Sequence, residues 1–167
     1  MPPIIHCVRH GQGVHNLSYA NHDLPDPKLT PLGEEQAQAL TSRPELANIE
    51  LIVSSPLQRT IQTALLAFPS KLKAGMQILA WSEVQEASDL ICDTGSRLPD
   101  IKARFYGLPV DFSLIEPDWY LKVCNLISEY FVLEVYFGFK IKQKMGPNCS
   151  LPPREGSAGP TMVERKA

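Results

Sequence analysis

No histidine follows position 22 in this sequence of 167 residues; the four are His6, His10, His15 and His22. Any imidazole chemistry must therefore come from the opening segment. Cysteine is sparse as well. Cys7, Cys92, Cys124 and Cys149 are widely scattered and show neither C-x-x-C nor a Cys/His spacing of the kind that holds zinc. No metal and no cofactor are expected, and reduced thiols are the simplest account. Charge of one sign is not in excess: 16 Lys and Arg stand against 18 Asp and Glu, a net charge of −2. Such a chain has no basic field with which to recruit nucleic acid or an anionic membrane, so any anion site must be local. Long apolar runs are missing too. The aromatic-rich stretch from Val123 to Phe139 is interrupted by Glu129 and Glu134, which argues against a membrane span. The opening residues show neither a basic n-region nor a signal core, and a cytoplasmic location is expected. No internal repeat is visible.

What remains is an ordinary globular composition, 44% hydrophobic and 20% charged, long enough for one domain with a sizeable core. The oligomeric state is open. The run from Pro3 to Val8 is mostly apolar and bounded by prolines, which predicts a short strand buried in a parallel sheet. It stops at Arg9-His10-Gly11-Gln12-Gly13-Val14-His15-Asn16, which falls at the carboxyl edge where open α/β sheets bind ligands. Gly11 and Gly13 would let backbone amides approach an anion, Arg9 offers a guanidinium that forks onto phosphate, and His10 offers a nucleophilic nitrogen.

Further along, Leu17 to Lys28 is polar and proline-punctuated, and reads as a loop. Thr30-Pro31 followed by Glu34 and Glu35 carries helix-start signals, with Thr30 as N-cap and a helix to about Ser42. Leu51 to Ser55 suits a second buried strand, with a helix starting at Pro56. Within that helix Ile61, Ala64, Leu65 and Phe68 mark a core face. Arg59 lies in the first turn, where a positive charge opposes the helix dipole unless an anion is near; it is either a surface residue or an anion clamp. Met76 to Ala80 predicts a third strand. Glu83 and Glu86 follow it, each readable as a solvated carboxylate, and Asp93-Thr94-Gly95 reads as a turn with no assigned role. Asp100 to Tyr106 predicts a helix ending at Gly107, and Phe112 to Tyr120 a loop packed on the core.

Taken together, the Arg9-His10-Gly11 run with Asn16, the segment Asp26-Pro27-Lys28-Leu29-Thr30-Pro31-Leu32-Gly33 and the segment Ser54-Ser55-Pro56-Leu57-Gln58-Arg59-Thr60 resemble the histidine phosphatase superfamily, also called phosphoglycerate mutase-like. Gln85-Glu86 with Ser88-Asp89-Leu90 and Cys92-Asp93-Thr94-Gly95 look like the version in its fungal-type members. The resemblance implies an α/β fold, a mostly parallel sheet flanked by helices, and runs to about Lys122. It implies that His10 becomes phosphorylated, that Arg9 and Arg59, helped by Asn16, hold the phosphoryl oxygens, and that Glu86, with Glu83 second, protonates the leaving oxygen. The substrate would be a small phosphomonoester, with phosphatase and mutase outcomes both open.

The resemblance also implies a second histidine on a late strand, and no residue after His22 can fill that part. His15 and His22 have no motif match as replacements. Loss of one preorganised donor typically costs on the order of 10² to 10³ in rate. The segment 123–167 differs in character: 123–139 holds five of the chain's thirteen aromatics without a clean period, and 146–167 is rich in proline and glycine and is expected to be a loosely held tail. The domain is thus expected over 1–122, incomplete at its C-terminal end. Three functions fit this sequence: a phosphohistidine enzyme, impaired or not; a catalytically inert phospho-ligand binder; or a truncated product of an altered transcript.

Overall fold

Three short parallel strands joined by two crossovers set the frame. The computed structural model describes residues 3–86 and 88–121, together with the backbone of residues 130–135 and 139–144. Strands β1 (Ile52–Ser54), β2 (Ile78–Trp81) and β3 (Val110–Leu114) form a parallel sheet in that order. Ile52 lies opposite Ile78, and Ile78 opposite Val110. Each parallel neighbour requires a helical crossover. These are supplied by α2 (Gln58–Ala67) and α3 (Pro69–Lys73) between β1 and β2, and by α4 (Leu98–Arg104) between β2 and β3. Helix α1 (Pro31–Ala39) precedes the sheet and packs on α2. The chain is therefore α/β, a parallel sheet flanked by helices. Strands β4 (Tyr130–Val135) and β5 (Phe139–Lys144) form a separate antiparallel pair.

The core lies between α2 and the sheet. Leu57, Ile61, Ala80, Ile101, Phe105, Ile115 and Trp119 form one buried cluster, and Ile52, Ala64 and Ile78 a second. Ile61 and Ala64 are buried as their helical spacing requires, and Thr30 caps α1 by accepting from the Gly33 amide at 3.1 Å. The start of α2 is capped from a distance. Asp26, buried and in the left-handed region at φ 43°, accepts from the Gln58 amide at 2.7 Å. Its other oxygen accepts from Ser96 at 2.6 Å and Arg104 at 3.0 Å. One carboxylate thus ties the loop before α1, the start of α2 and the end of α4.

Two sequence expectations need correction. The run Pro3–Val8 is not a strand: Ile4, Ile5 and Val8 are exposed and the segment carries no ladder. Apolar character records that a segment can be buried; it does not supply a neighbouring strand to pair with. The second correction is at Phe112, Ser113 and Leu114, which lie within β3 and not in a loop; beyond the strand, Ile115 and Trp119 are buried in the core. The tail at 146–167, the change of character at 123, and Cys124 and Cys149 lie outside the described residues. No helix among the described residues is long and apolar enough to cross a membrane.

Candidate active site

The residues after Arg9 are held by hydrogen bonds to the helices. The Gly11 amide donates to Thr63 Oγ1 at 3.1 Å, and that hydroxyl donates to the Arg59 carbonyl at 2.8 Å. Gln12 is fixed by Gln36 through its amide at 2.8 Å, and its carbonyl accepts from the Thr30 amide at 2.9 Å. Gly13 bridges Leu29. His10 is thereby carried to the first turn of α2, where Arg59 begins. Arg59 Nε donates to His10 Nε2 at 3.2 Å, and His10 Nδ1 lies 2.6 Å from the Gly11 carbonyl. A nitrogen against a carbonyl must carry the proton, so Nδ1 is the donor and Nε2 holds the free lone pair. The imidazole is held with its unprotonated nitrogen facing a guanidinium.

Arg59 is fully buried, with relative exposure of 0%. Its other two arms are also engaged: NH1 donates to the Cys92 carbonyl at 2.8 Å and NH2 to Asp93 Oδ1 at 2.7 Å. Ser88 donates to the second oxygen of Asp93. The dipole argument left Arg59 open between surface and clamp, and the resemblance implied a phosphate clamp; in the structure it is a core residue that faces an anion, the carboxylate of Asp93. A buried guanidinium needs such partners, because an unpaired buried charge is costly. Asp93 was given no role from sequence, since it lies far along the chain from Arg59 and sits in a turn-like tetrapeptide.

The glycines have a different use from the one the sequence suggested. Amides of Gly11, Gln12 and Gly13 all donate to protein groups, Gly13 to Asn16 Oδ1 at 2.9 Å. A Cβ on Gly11 would lie 2.2 Å from the Gly33 carbonyl oxygen, so this glycine permits contact between two backbones. A Cβ on Gly13 would lie 2.5 Å from His15 Cε1 and 3.5 Å from Arg59 Cδ. Asn16 is exposed and its side-chain oxygen is committed to Gly13. Arg9 is exposed, makes no hydrogen bond or ion pair among the described residues, and acts on His10 through its charge.

The His10 pKa is lowered from its ordinary value of 6.5, chiefly by burial and also by the Arg59 and Arg9 charges; the Gly11 carbonyl and the Glu86 carboxylate act in the opposite direction. Glu86 is exposed and its charge reaches His10, whereas Glu83 is not among the groups that act on that ring. At neutral pH the ring is therefore predominantly neutral, as nucleophilic attack by Nε2 requires. No group of three or more His, Cys, Asp or Glu that could hold a metal ion occurs among the described residues.

This arrangement, an imidazole and a buried arginine brought together at the carboxyl edge of a parallel sheet, has counterparts. Residues 5–110 match the profile of the histidine phosphatase superfamily, branch 1, and the chain belongs to that family. It is 43% identical over 75 residues to a phosphoglycerate mutase-like protein of Arabidopsis thaliana, an alignment covering 38% of this chain and 28% of the relative. It is 31% identical over 107 residues to a protein of Schizosaccharomyces pombe named "Probable phosphatase", covering 62% of this chain and 50% of that one. A protein of Proteus mirabilis named "Probable phosphoglycerate mutase GpmB" is 40% identical over 60 residues, covering 36% and 28%. The chain thus spans half or less of the length of these relatives.

Proposed function

We propose that the chain transfers the phosphoryl group of a small phosphomonoester through a phosphohistidine on His10, to water or to an acceptor hydroxyl. The observation that carries this reading is the His10 tautomer: Nδ1–H is fixed on the Gly11 carbonyl at 2.6 Å while Nε2 faces Arg59 at 3.2 Å. In phosphoryl transfer most of the acceleration comes from positioning and charge neutralisation. Arg59 and Arg9 would take the phosphoryl oxygens, with Asn16 at the rim. As the ester seats, Arg59 turns from the His10 lone pair and from Asp93 onto those oxygens. The Nε2 lone pair then attacks phosphorus, the P–O bond to the leaving group breaks, and Glu86 gives its proton to the departing oxygen. In the second step the acceptor oxygen attacks phosphorus, its proton returns to Glu86, and the N–P bond breaks. The unit responsible is proposed to be residues 1–122.

A second reading, an inert phospho-ligand binder, is favoured by one observation. All three nitrogens of Arg59 are engaged, one of them by the nucleophilic lone pair itself. Incubation with p-nitrophenyl phosphate separates the two. The enzyme reading expects hydrolysis and an acid-labile, base-stable phosphoprotein, both abolished in His10→Ala. Phosphate-induced thermal stabilisation without turnover would establish the binder instead.

A further inference from the structure

His15 has no part in the mechanism above, yet it is the more buried of the two imidazoles at the site, with 7% relative exposure. The short 3₁₀ turn Val14–Leu17 starts immediately after the glycine that makes room for its ring. Its ring centroid lies 5.6 Å from that of His10, with the planes tilted by 55°. The ring centroid of His22 lies 6.3 Å from that of His15. Its Nδ1 is fully buried and has no hydrogen-bond partner among the described residues. A buried polar atom without a partner costs stability and calls for an explanation. The position of that atom supplies one: Nδ1 and Arg59 Cδ both border the space that a Gly13 side chain would fill. The orphan nitrogen therefore belongs to a ring that neighbours His10 and sits close to the Arg59 side chain.

The groups acting on this ring are known from all sides. Burial is the largest, Arg59, His10 and His22 also lower its pKa, and Asp93 raises it; the result is a pKa of about 4. At neutral pH the ring is uncharged, with one N–H donor and one acceptor.

Resting on the phosphohistidine reading, we propose that His15 is a second imidazole of the phosphoryl site, which donates a ring N–H to a phosphoryl oxygen of the group that His10 attacks. Because the donor is neutral, its contribution is independent of pH above about 5.

The test uses the full chain with orthovanadate as the probe and p-nitrophenyl phosphate as the substrate, comparing His15→Phe, His15→Asn and His10→Ala. His15→Phe keeps a ring in the slot and removes both nitrogens. It is expected to weaken vanadate by about tenfold to a hundredfold, equally at pH 5.5 and pH 8, and to lower kcat more than it changes KM, with no fall in melting temperature. His15→Asn retains an N–H donor and is expected to recover most of the affinity. A His15→Phe variant with native vanadate affinity and native kcat overturns the proposal, as does a loss confined to pH below 6.5. If His10→Ala abolishes turnover while His15→Phe is silent, only the role of His15 falls. If His10→Ala retains turnover, or the native chain binds no vanadate, the phosphohistidine reading falls and this inference with it.

Discussion

Arg9 and Arg59 bring the same functional group toward one imidazole under opposite physical conditions. Arg59 springs from the first turn of α2, is buried completely and has each guanidinium nitrogen in a hydrogen bond. Arg9 follows an exposed apolar run that is part of no sheet, and its guanidinium makes no hydrogen bond or ion pair among the described residues. The difference teaches that a signature and its scaffold are separate matters. The residues of the motif are present in both segments, but of the two arginines only Arg59 is locked by the core. Arg59 therefore holds the fold together besides the role proposed for it at the phosphoryl site, whereas Arg9 has only the proposed role.

The sharpest break of this comparison is Arg59→Met. It leaves Asp93 and the Cys92 carbonyl buried without their donor, and removing one partner of a buried ion pair typically costs about 3 to 5 kcal/mol. Against a total of about 5 to 15 kcal/mol, the urea midpoint is expected to fall steeply, together with all turnover. A midpoint near native would show that the pair does not hold 91–93 to α2. Asp93→Asn is milder, since an acceptor oxygen remains; a loss of about 1 to 3 kcal/mol is expected. The same change weakens a competitor for Arg59, so inorganic phosphate should bind more tightly, as calorimetry would show. Weaker phosphate binding would mean that Asp93 orients Arg59 for the ligand. Arg9→Met is expected to leave the unfolding free energy within about 0.5 kcal/mol of native while lowering turnover. A large loss of stability there would erase the contrast between the two arginines.

How much of this was legible beforehand depended on whether the signal was local. β1 and β2 stood out as short β-branched or apolar runs, and the Thr30 cap was readable because its partner, Gly33, is three residues away. The dipole argument singled out Arg59, since a cation in a first turn needs an anion. It did not identify Asp93, because nothing in the intervening chain records that 91–93 folds back onto α2. The strand Val110-Asp111-Phe112-Ser113-Leu114 alternates strictly between apolar and polar residues, a period of two that would have revealed β3. The Gly11 requirement was read as room for an anion, whereas it is room for Gly33; sequence shows that a side chain is absent, not what takes its place. Likewise, His15 had no motif match to single it out, because its proximity to His10 comes from the tight turn after Gly13.

The smallest expected effect concerns His10, which sits where the exposed run meets the buried cluster. Its pKa is lowered by burial first, with Arg59 next among the lowering charges and Arg9 last. Proton NMR titration of the ring should give a midpoint below 6.5, and Arg9→Met should raise it only slightly, because the leading cause is untouched. A large rise would show that the exposed guanidinium lies against the ring after all. The sign for stability follows from the same direction. A histidine whose folded pKa is below its unfolded value binds its proton less readily when folded, so the unfolded state gains protons first on acidification. His10 and His15, the latter at about 4, thus favour the folded chain fully above about pH 6.5 and progressively less toward pH 4. The urea midpoint should rise with pH across that window and flatten above it. In His15→Phe the slope should be shallower, since one of the two groups that generate it is gone.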